Sequence, residues 1–350
     1  MTTVVFAIPG DINLPTGGYT YDRHVLALLP QFGVTARHLE LPAGYPAPTV
    51  ADLDATARAF ADMRQGAVLM VDGLAYGAMP ADVIKQASGP IIALVHHPLC
   101  LETGLDDARA AELRASEIAA LALAKRVVVT SRTTGKTLIE EFAVPADKLS
   151  IAEPGTEPAP RATGSRATLQ LLAVGSVVPR KGYDILVRAL QRVATTIPWQ
   201  LTIVGATDRS PETTAAVQAQ IEASLLASCI RMIGGLPESA LAEFYERSDV
   251  LVLSSLYEGY GMVLTEALAR GLPIVTTTGG AAAATVPDAA GLKVAPGDVE
   301  ALAAALQRII TDAALRKQLA DAAWSFAQTS LPRWQDTATK VAAVIKELAP

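Results

Sequence analysis

Short runs of aliphatic and β-branched residues recur along the chain, and each is followed by a longer stretch whose apolar residues return every three or four positions. Runs of this length suit strands buried on both faces, and the longer period suits helices with one apolar stripe. The first half offers such runs at residues 4–8, 67–71, 91–95, 126–130 and 149–152. A second series follows at 169–174, 200–204, 230–233, 250–253 and 274–277. Strands alternating with crossover helices predict an α/β fold with parallel sheets, and two successive series predict two Rossmann-like domains facing a central cleft.

Between the two series, residues 153–166 are rich in Pro, Gly and small polar residues and have no apolar period. This stretch reads as an interdomain linker. The predicted domains are therefore residues 1–160 and 166–331, with a terminal helical pattern over about 332–350. A chain of 350 residues, 51% of them hydrophobic, is long enough for two such cores.

Charge narrows the range of partners. Residues 1–160 carry 12 Lys and Arg against 18 Asp and Glu, whereas residues 161–350 carry 17 of each, so the net charge of −6 arises entirely in the first part. These totals argue against nucleic acid as a partner and show no polybasic face for anionic lipid, although exposed apolar residues leave weak peripheral membrane contact open. Cys100 and Cys229 stand alone, outside any metal-ligand spacing. No apolar run approaches the ~20 residues needed to span a bilayer, and the opening Met1-Thr-Thr-Val-Val-Phe reads as a first strand and not as a secretory signal. The expected location is the cytoplasm.

Ligands of open α/β sheets bind beyond the carboxyl ends of strands, so strand ends are where chemistry is sought. After the run 250–253 comes Glu258-Gly-Tyr-Gly-Met-Val-Leu-Thr-Glu266, two carboxylates spaced across a glycine-rich turn and a helix start. Gly259 and Gly261 allow close approach of a ligand to the backbone, and the free N–H groups of the helix start form an anion site. Carboxylates beside phosphate repel it, so these acids suit sugar hydroxyls; a solvated turn acid and an ordinary helix Glu fit the same spacing. Three further groups end strands: Gly17 and Gly18 in the first βα loop, His96-His97-Pro98 after the run 91–95, and Val178-Pro-Arg180-Lys181-Gly182 after Gly175. Asp72 and Glu102 lie in neighbouring strand-end loops, whereas His24 and His38 have no supporting neighbours.

With these four elements in this order over nearly its whole length, the chain resembles the retaining glycosyltransferases of the GT-B fold, family 4. The resemblance implies an N-terminal acceptor-binding domain, onto which the terminal helix packs back, and a C-terminal domain that binds a nucleotide-sugar. It implies that Glu266 holds ribose hydroxyls and Glu258 a hydroxyl of the transferred sugar. Gly259, Tyr260, Gly261, Met262 and Val263 are then backbone contacts to the diphosphate and sugar. Gly17, Gly18 and Gly175 lie on the donor side, Ile233 near the base, and Arg180 and Lys181 neutralise the departing diphosphate in place of a metal ion. His96 aligns with the family histidine near the reacting sugar, where it orients a donor hydroxyl or stabilises developing charge; Asp72, His97 and Glu102 are candidates for acceptor hydroxyls. One departure stands out: many relatives carry Arg directly after the glycine that ends this strand, and here the residue is Ser176.

The expected reaction is transfer of a hexosyl group from a UDP- or GDP-sugar to a hydroxyl acceptor (a sugar, glycan or glycolipid precursor), with retention at the anomeric carbon and no metal or other cofactor. Nucleotide-sugar epimerisation, phosphorolysis and donor binding without catalysis are the alternatives on the same fold. Base, sugar, acceptor and oligomeric state are not legible in the residues.

Overall fold

The computed structural model describes residues 2–64, 66–165 and 167–349. Met1 and Pro350, at the ends of the predicted domains, and Arg166, at the end of the predicted linker, lie outside them. Unbroken aliphatic runs become strands covered from both sides: Val68–Asp72 and Ile91–Val95 are buried at every residue. In chain order the strands are β1 (Thr2–Pro9), β2 (Val34–Leu41), β3 (Val68–Asp72), β4 (Ile91–Val95), β5 (Arg126–Val129), β6 (Leu149–Ile151), β7 (Leu169–Val174), β8 (Trp199–Val204), β9 (Ile230–Ile233), β10 (Val250–Leu253), β11 (Ile274–Thr277) and β12 (Gly291–Val294).

The chain divides into two units, one of Met1–Gly155 with Pro332–Pro350 and the other of Thr156–Leu331. In the first unit the described strands form one parallel six-stranded sheet in the order β2-β1-β3-β4-β5-β6. Its core runs from Val5 and Ala7 through Phe60, Leu69, Val95 and Leu121 to Phe142. The helix Trp334–Leu348 belongs to this unit, where Trp334 stacks on His24 with ring centroids 4.0 Å apart and meets Tyr21 edge-on. Glu153 accepts the Thr337 hydroxyl hydrogen bond, so the start of the predicted linker is held in the first unit.

In the second unit the described strands again form one parallel six-stranded sheet, ordered β12-β11-β10-β7-β8-β9, with an apolar cluster on each face. Leu171, Ala173, Leu201 and Val252 point to one cluster, and Leu172, Val174, Leu251 and Leu253 to the other. This alternation is the two-residue period of a strand buried on both sides. Arg161 pairs with Asp321, and Ser165 donates to Asp249, so the later part of the predicted linker is fastened to the second unit.

The structure adds two strands to the ten expected, β2 and β12. Both lie at sheet edges, and β2 alternates in burial with Arg37 and His38 among its residues, so neither shows an unbroken apolar run. No helix among the described residues is long and apolar enough to cross a membrane.

Candidate active site

In the second unit, β7 ends at Val174, and after Gly175 the chain turns through a short 3-10 helix, Pro179–Lys181, closed by Gly182 in the left-handed region at φ 60°. The turn is tight because a Cβ at Gly182 would lie 2.5 Å from the Ser254 carbonyl oxygen. Lys181 is thereby carried back across Gly175, and its Nζ donates to Glu258 Oε1 at 2.6 Å. Glu258 is buried; Ser255 Oγ donates to the same oxygen at 2.5 Å, and Arg180 Nη1 lies 3.5 Å from Oε2. Burial works to raise the Glu258 carboxyl, but Lys181, Arg180 and the Ser255 hydroxyl outweigh it and hold the group below the usual carboxylate range. Arg180 also braces the turn itself: its Nη1 donates to the Tyr257 carbonyl at 2.7 Å, and its own carbonyl accepts from Leu256 N.

Beyond Glu258, Gly261 at φ 87° caps the helix Met262–Ala269. A left-handed residue here directs the first amides of that helix, from Met262 and Val263, out of the turn. Glu266 sits one turn into the helix, where the buried Tyr245 hydroxyl donates to its Oε2 at 2.7 Å and Arg270 lies over the Tyr245 ring at 4.7 Å. Burial raises the Glu266 carboxyl, with the Tyr245 hydrogen bond and Arg270 opposing it. The Tyr260 carbonyl accepts from Thr285, tying the turn to the segment after β11. Ile233 ends β9, and Gly234 beyond it has open space where a side chain would stand.

In the first unit, Gly17 and Gly18 form the first turn of the helix Gly17–Leu28, with Thr16 as its cap, and not a loop ahead of it as expected. The Thr16 hydroxyl accepts Tyr19 N–H, and the first intrahelical bond runs from Thr20 N to Thr16 O, so the Gly17 and Gly18 amides precede the hydrogen-bonded ladder. Gly18 packs on His96: a Cβ there would lie 3.4 Å from the imidazole ring. His96 Nε2 is 3.1 Å from Asp72 Oδ2 and 3.4 Å from Asp22 Oδ1. Asp72 also caps the next helical turn by accepting Leu74 N–H at 2.8 Å. Asp22 is fully buried, and burial together with the Asp72 charge raises its carboxyl to about 7. The ligand-capable atoms of these three side chains lie within 4.8 Å of one another, close enough to surround a proton or a divalent cation. His97 faces Glu102 instead, at 3.3 Å, on the neighbouring loop.

Residues 161–325 match the model of a protein family described as glycosyl transferases group 1. The second unit of the chain thus carries that family's pattern. Like its relatives it is a glycosyltransferase. The chain is 27% identical over 322 residues to an MMP alpha-(1->4)-mannosyltransferase of Mycolicibacterium hassiacum, covering 87% of this chain and 76% of that protein. It spans about half the length of several other curated relatives. Among solved structures it is similar to sucrose-phosphate synthase from Thermosynechococcus elongatus (TM-score 0.81, 22% identity, 98% of both chains). It is also similar to Anabaena HepE in complex with UDP and glucose (TM-score 0.79, 15% identity, 99% of this chain and all of that one). The fold of this glycosyltransferase is GT-B, as those likenesses and the two Rossmann-like sheets establish.

Within the transferase, the residues singled out by sequence fall into two groups. Gly175, Arg180, Lys181, Glu258 and the turn Gly259–Val263 gather on one side of the second sheet's strand ends, with Glu266 one helical turn further on. Gly18, His96 and Asp72 gather in the first unit. Asp72 is 2% exposed and engaged at both carboxylate oxygens, so it sits behind His96 and not on an open loop where an acceptor hydroxyl would meet it. Three partners were missed: Asp22, Ser255 and Tyr245. Asp22 left a trace, since it shares a helical stripe with buried Val25 and Leu29, an unusual place for an acid. Tyr245 and Ser255 left none.

Proposed function

We propose that this glycosyltransferase moves a hexosyl group from a nucleotide-sugar, a UDP- or GDP-sugar, to a hydroxyl acceptor, with retention at the anomeric carbon and without a catalytic metal ion. The observation that carries this reading is the Glu258 turn: a hydroxyl-accepting carboxylate lies 2.6 Å from the Lys181 ammonium, with Arg180 beside it. A carboxylate held ionised accepts hydrogen bonds from sugar hydroxyls. A desolvated ammonium and guanidinium offset the charge that grows on a leaving diphosphate, the role a metal ion fills elsewhere. The amides at the start of the helix Met262–Ala269 supply further donors to phosphate, and Glu266, pinned by Tyr245, offers its other oxygen to ribose. Arg180 serves chiefly as a brace of the turn, which makes Lys181 the residue that meets phosphate despite Ser176. With no second-face nucleophile assigned, same-face attack follows, with the leaving phosphate assisting deprotonation of the acceptor. HepE, solved with UDP and glucose, is consistent with a uridine donor.

The test is a melting-temperature screen against UDP, GDP and their hexose conjugates, because a ligand that binds only the folded state raises stability by mass action. The stabilising donor is then incubated with acceptor pools in EDTA, and the anomeric configuration of the product is read by NMR. An axial donor is expected to yield an axial product with undiminished turnover in EDTA. Inverted product, loss of turnover in EDTA, or conversion of donor without acceptor each refutes the corresponding part of the proposal.

A further inference from the structure

The first unit holds a charge arrangement that the transfer reaction as described leaves unassigned. Asp22 comes from the helix Gly17–Leu28 and Asp72 from the end of β3, yet both carboxylates aim at one atom, Nε2 of His96. Asp22 is fully buried, and apart from the imidazole 3.4 Å away neither of its oxygens has a hydrogen-bond donor. A buried carboxylate without a counter-charge costs several kcal/mol, so such groups are paired or neutralised. Next to Asp22, Arg23 turns away to the Ile12 and Leu14 carbonyls. Tyr21 gives its hydroxyl to the Ala152 carbonyl and meets the imidazole only edge-on. Thr130 and Thr134, uncharged, reach the His96 carbonyl, and His97 faces Glu102. The imidazole is thus the counter-charge that the surrounding elements supply. Nε2 is sealed from solvent, whereas the side chain as a whole keeps 21% exposure.

We infer that Asp22 and Asp72 are positioning residues that hold His96 as a permanent imidazolium, with Nε2 turned inward to the two acids and the Nδ1–H presented outward as a donor. Resting on the transferase reading above, this gives His96 one role. It is a fixed positive hydrogen-bond donor to a ligand oxygen and is excluded as a base. Burial disfavours the charged ring, but the two acids overcome it and raise His96 to about 10, in keeping with that role. Gly18 packs against the same ring, which a Cβ there would meet at contact distance, 3.4 Å.

The test follows the ring itself by nitrogen-15 NMR of the full chain, with the four histidines assigned by single substitution. In the wild type, His96 is expected to remain charged from pH 6 to 9. In Asp22→Asn/Asp72→Asn it should titrate at or below the ordinary value of about 6.5. For the double variant kcat at pH 8 should fall about 10²-fold, the scale of losing one preorganised charge contact, with donor KM changed little. Asp22→Glu, which keeps the charge, should restore part of kcat. A neutral His96 at pH 8 in the wild type overturns the inference whatever the enzyme's activity. So does a double variant with unchanged ring titration, or a stoichiometric divalent cation whose removal shifts the ring signals. Absence of any transfer activity, with the ring titrating as described, refutes the transferase chemistry and leaves the charge device standing.

Discussion

Replacing Lys181 by Met removes the ammonium from Glu258 while keeping most of the aliphatic stem that crosses Gly175. Glu258 is only 5% exposed, and removing one partner of a buried ion pair costs about 3–5 kcal/mol because the other charge stays desolvated. Ser255 and Arg180 still reach the carboxylate, so the lower end, about 3 kcal/mol, is expected. For a unit of this size that corresponds to a fall in Tm of roughly 6–12 °C. In the wild type the Glu258 carboxyl is depressed, so its contribution is present above the ordinary carboxylate value and lost as pH falls through the folded value. Without Lys181 the balance reverses, and the deficit should shrink as the pH is lowered towards about 4.5 and the orphaned carboxyl takes up a proton. Adding Glu258→Gln keeps an acceptor for Ser255 but removes the buried charge, so the double variant should recover to within about 1 kcal/mol of the wild type. Turnover should not recover: both variants are expected to lose about 10²–10³-fold in kcat. Calorimetry from pH 4.5 to 8, with transfer assays beside it, checks the cycle. A double variant as unstable as Lys181→Met, or one with wild-type turnover, refutes the assignment of this pair.

Tyr245→Phe frees Glu266 from its 2.7 Å hydrogen bond, and donor KM should rise about tenfold with kcat nearly constant, the scale of one hydrogen bond to a charged group. Steady-state kinetics with varied donor measures this. Glu117, 1% exposed, is raised to about 8 by burial, with Leu99 N–H and Arg114 opposing. Its stability contribution is therefore present below the ordinary value of about 4.5 and lost as pH rises through about 8, on the order of 5 kcal/mol in all. Glu117→Gln should flatten the decline in Tm of the first unit between pH 5 and 8, as scanning calorimetry would record. Gly182→Ala would set a Cβ 2.5 Å from the Ser254 carbonyl oxygen in a left-handed residue. It should destabilise the second unit by at least about 2 kcal/mol in urea unfolding, whereas Gly234→Ala, which meets open space, should be close to neutral.

Much of this architecture is local. The eight inner strands were legible because a strand covered on both faces needs an uninterrupted apolar run, and the edge strands β6 and β9 because their short runs still stand out between helices. Strands β2 and β12 escaped because edge position relaxes that demand and lets polar residues alternate into the run. The Glu258–Glu266 turn was legible for a similar reason: glycines that free the backbone, acids and a helix start all lie within nine consecutive residues. The first helix shows the limit of such reading. Thr16 caps it early enough to take in Gly17 and Gly18, a boundary set by one hydroxyl and not by periodicity.

The residue pattern alone determined two α/β units and the strand ends at which their chemistry lies, because apolar period and turn chemistry act between near neighbours in the chain. Only the tertiary structure decided which side chains act on one another: Lys181 with Glu258, Tyr245 with Glu266, and Asp22 and Asp72 with His96. Lys181 meets Glu258 and Asp72 meets His96 where parallel strand ends come together, while Tyr245, Glu266 and Asp22 are brought in by helices; each pairing is energetically meaningful only where burial has removed the water that would otherwise screen it.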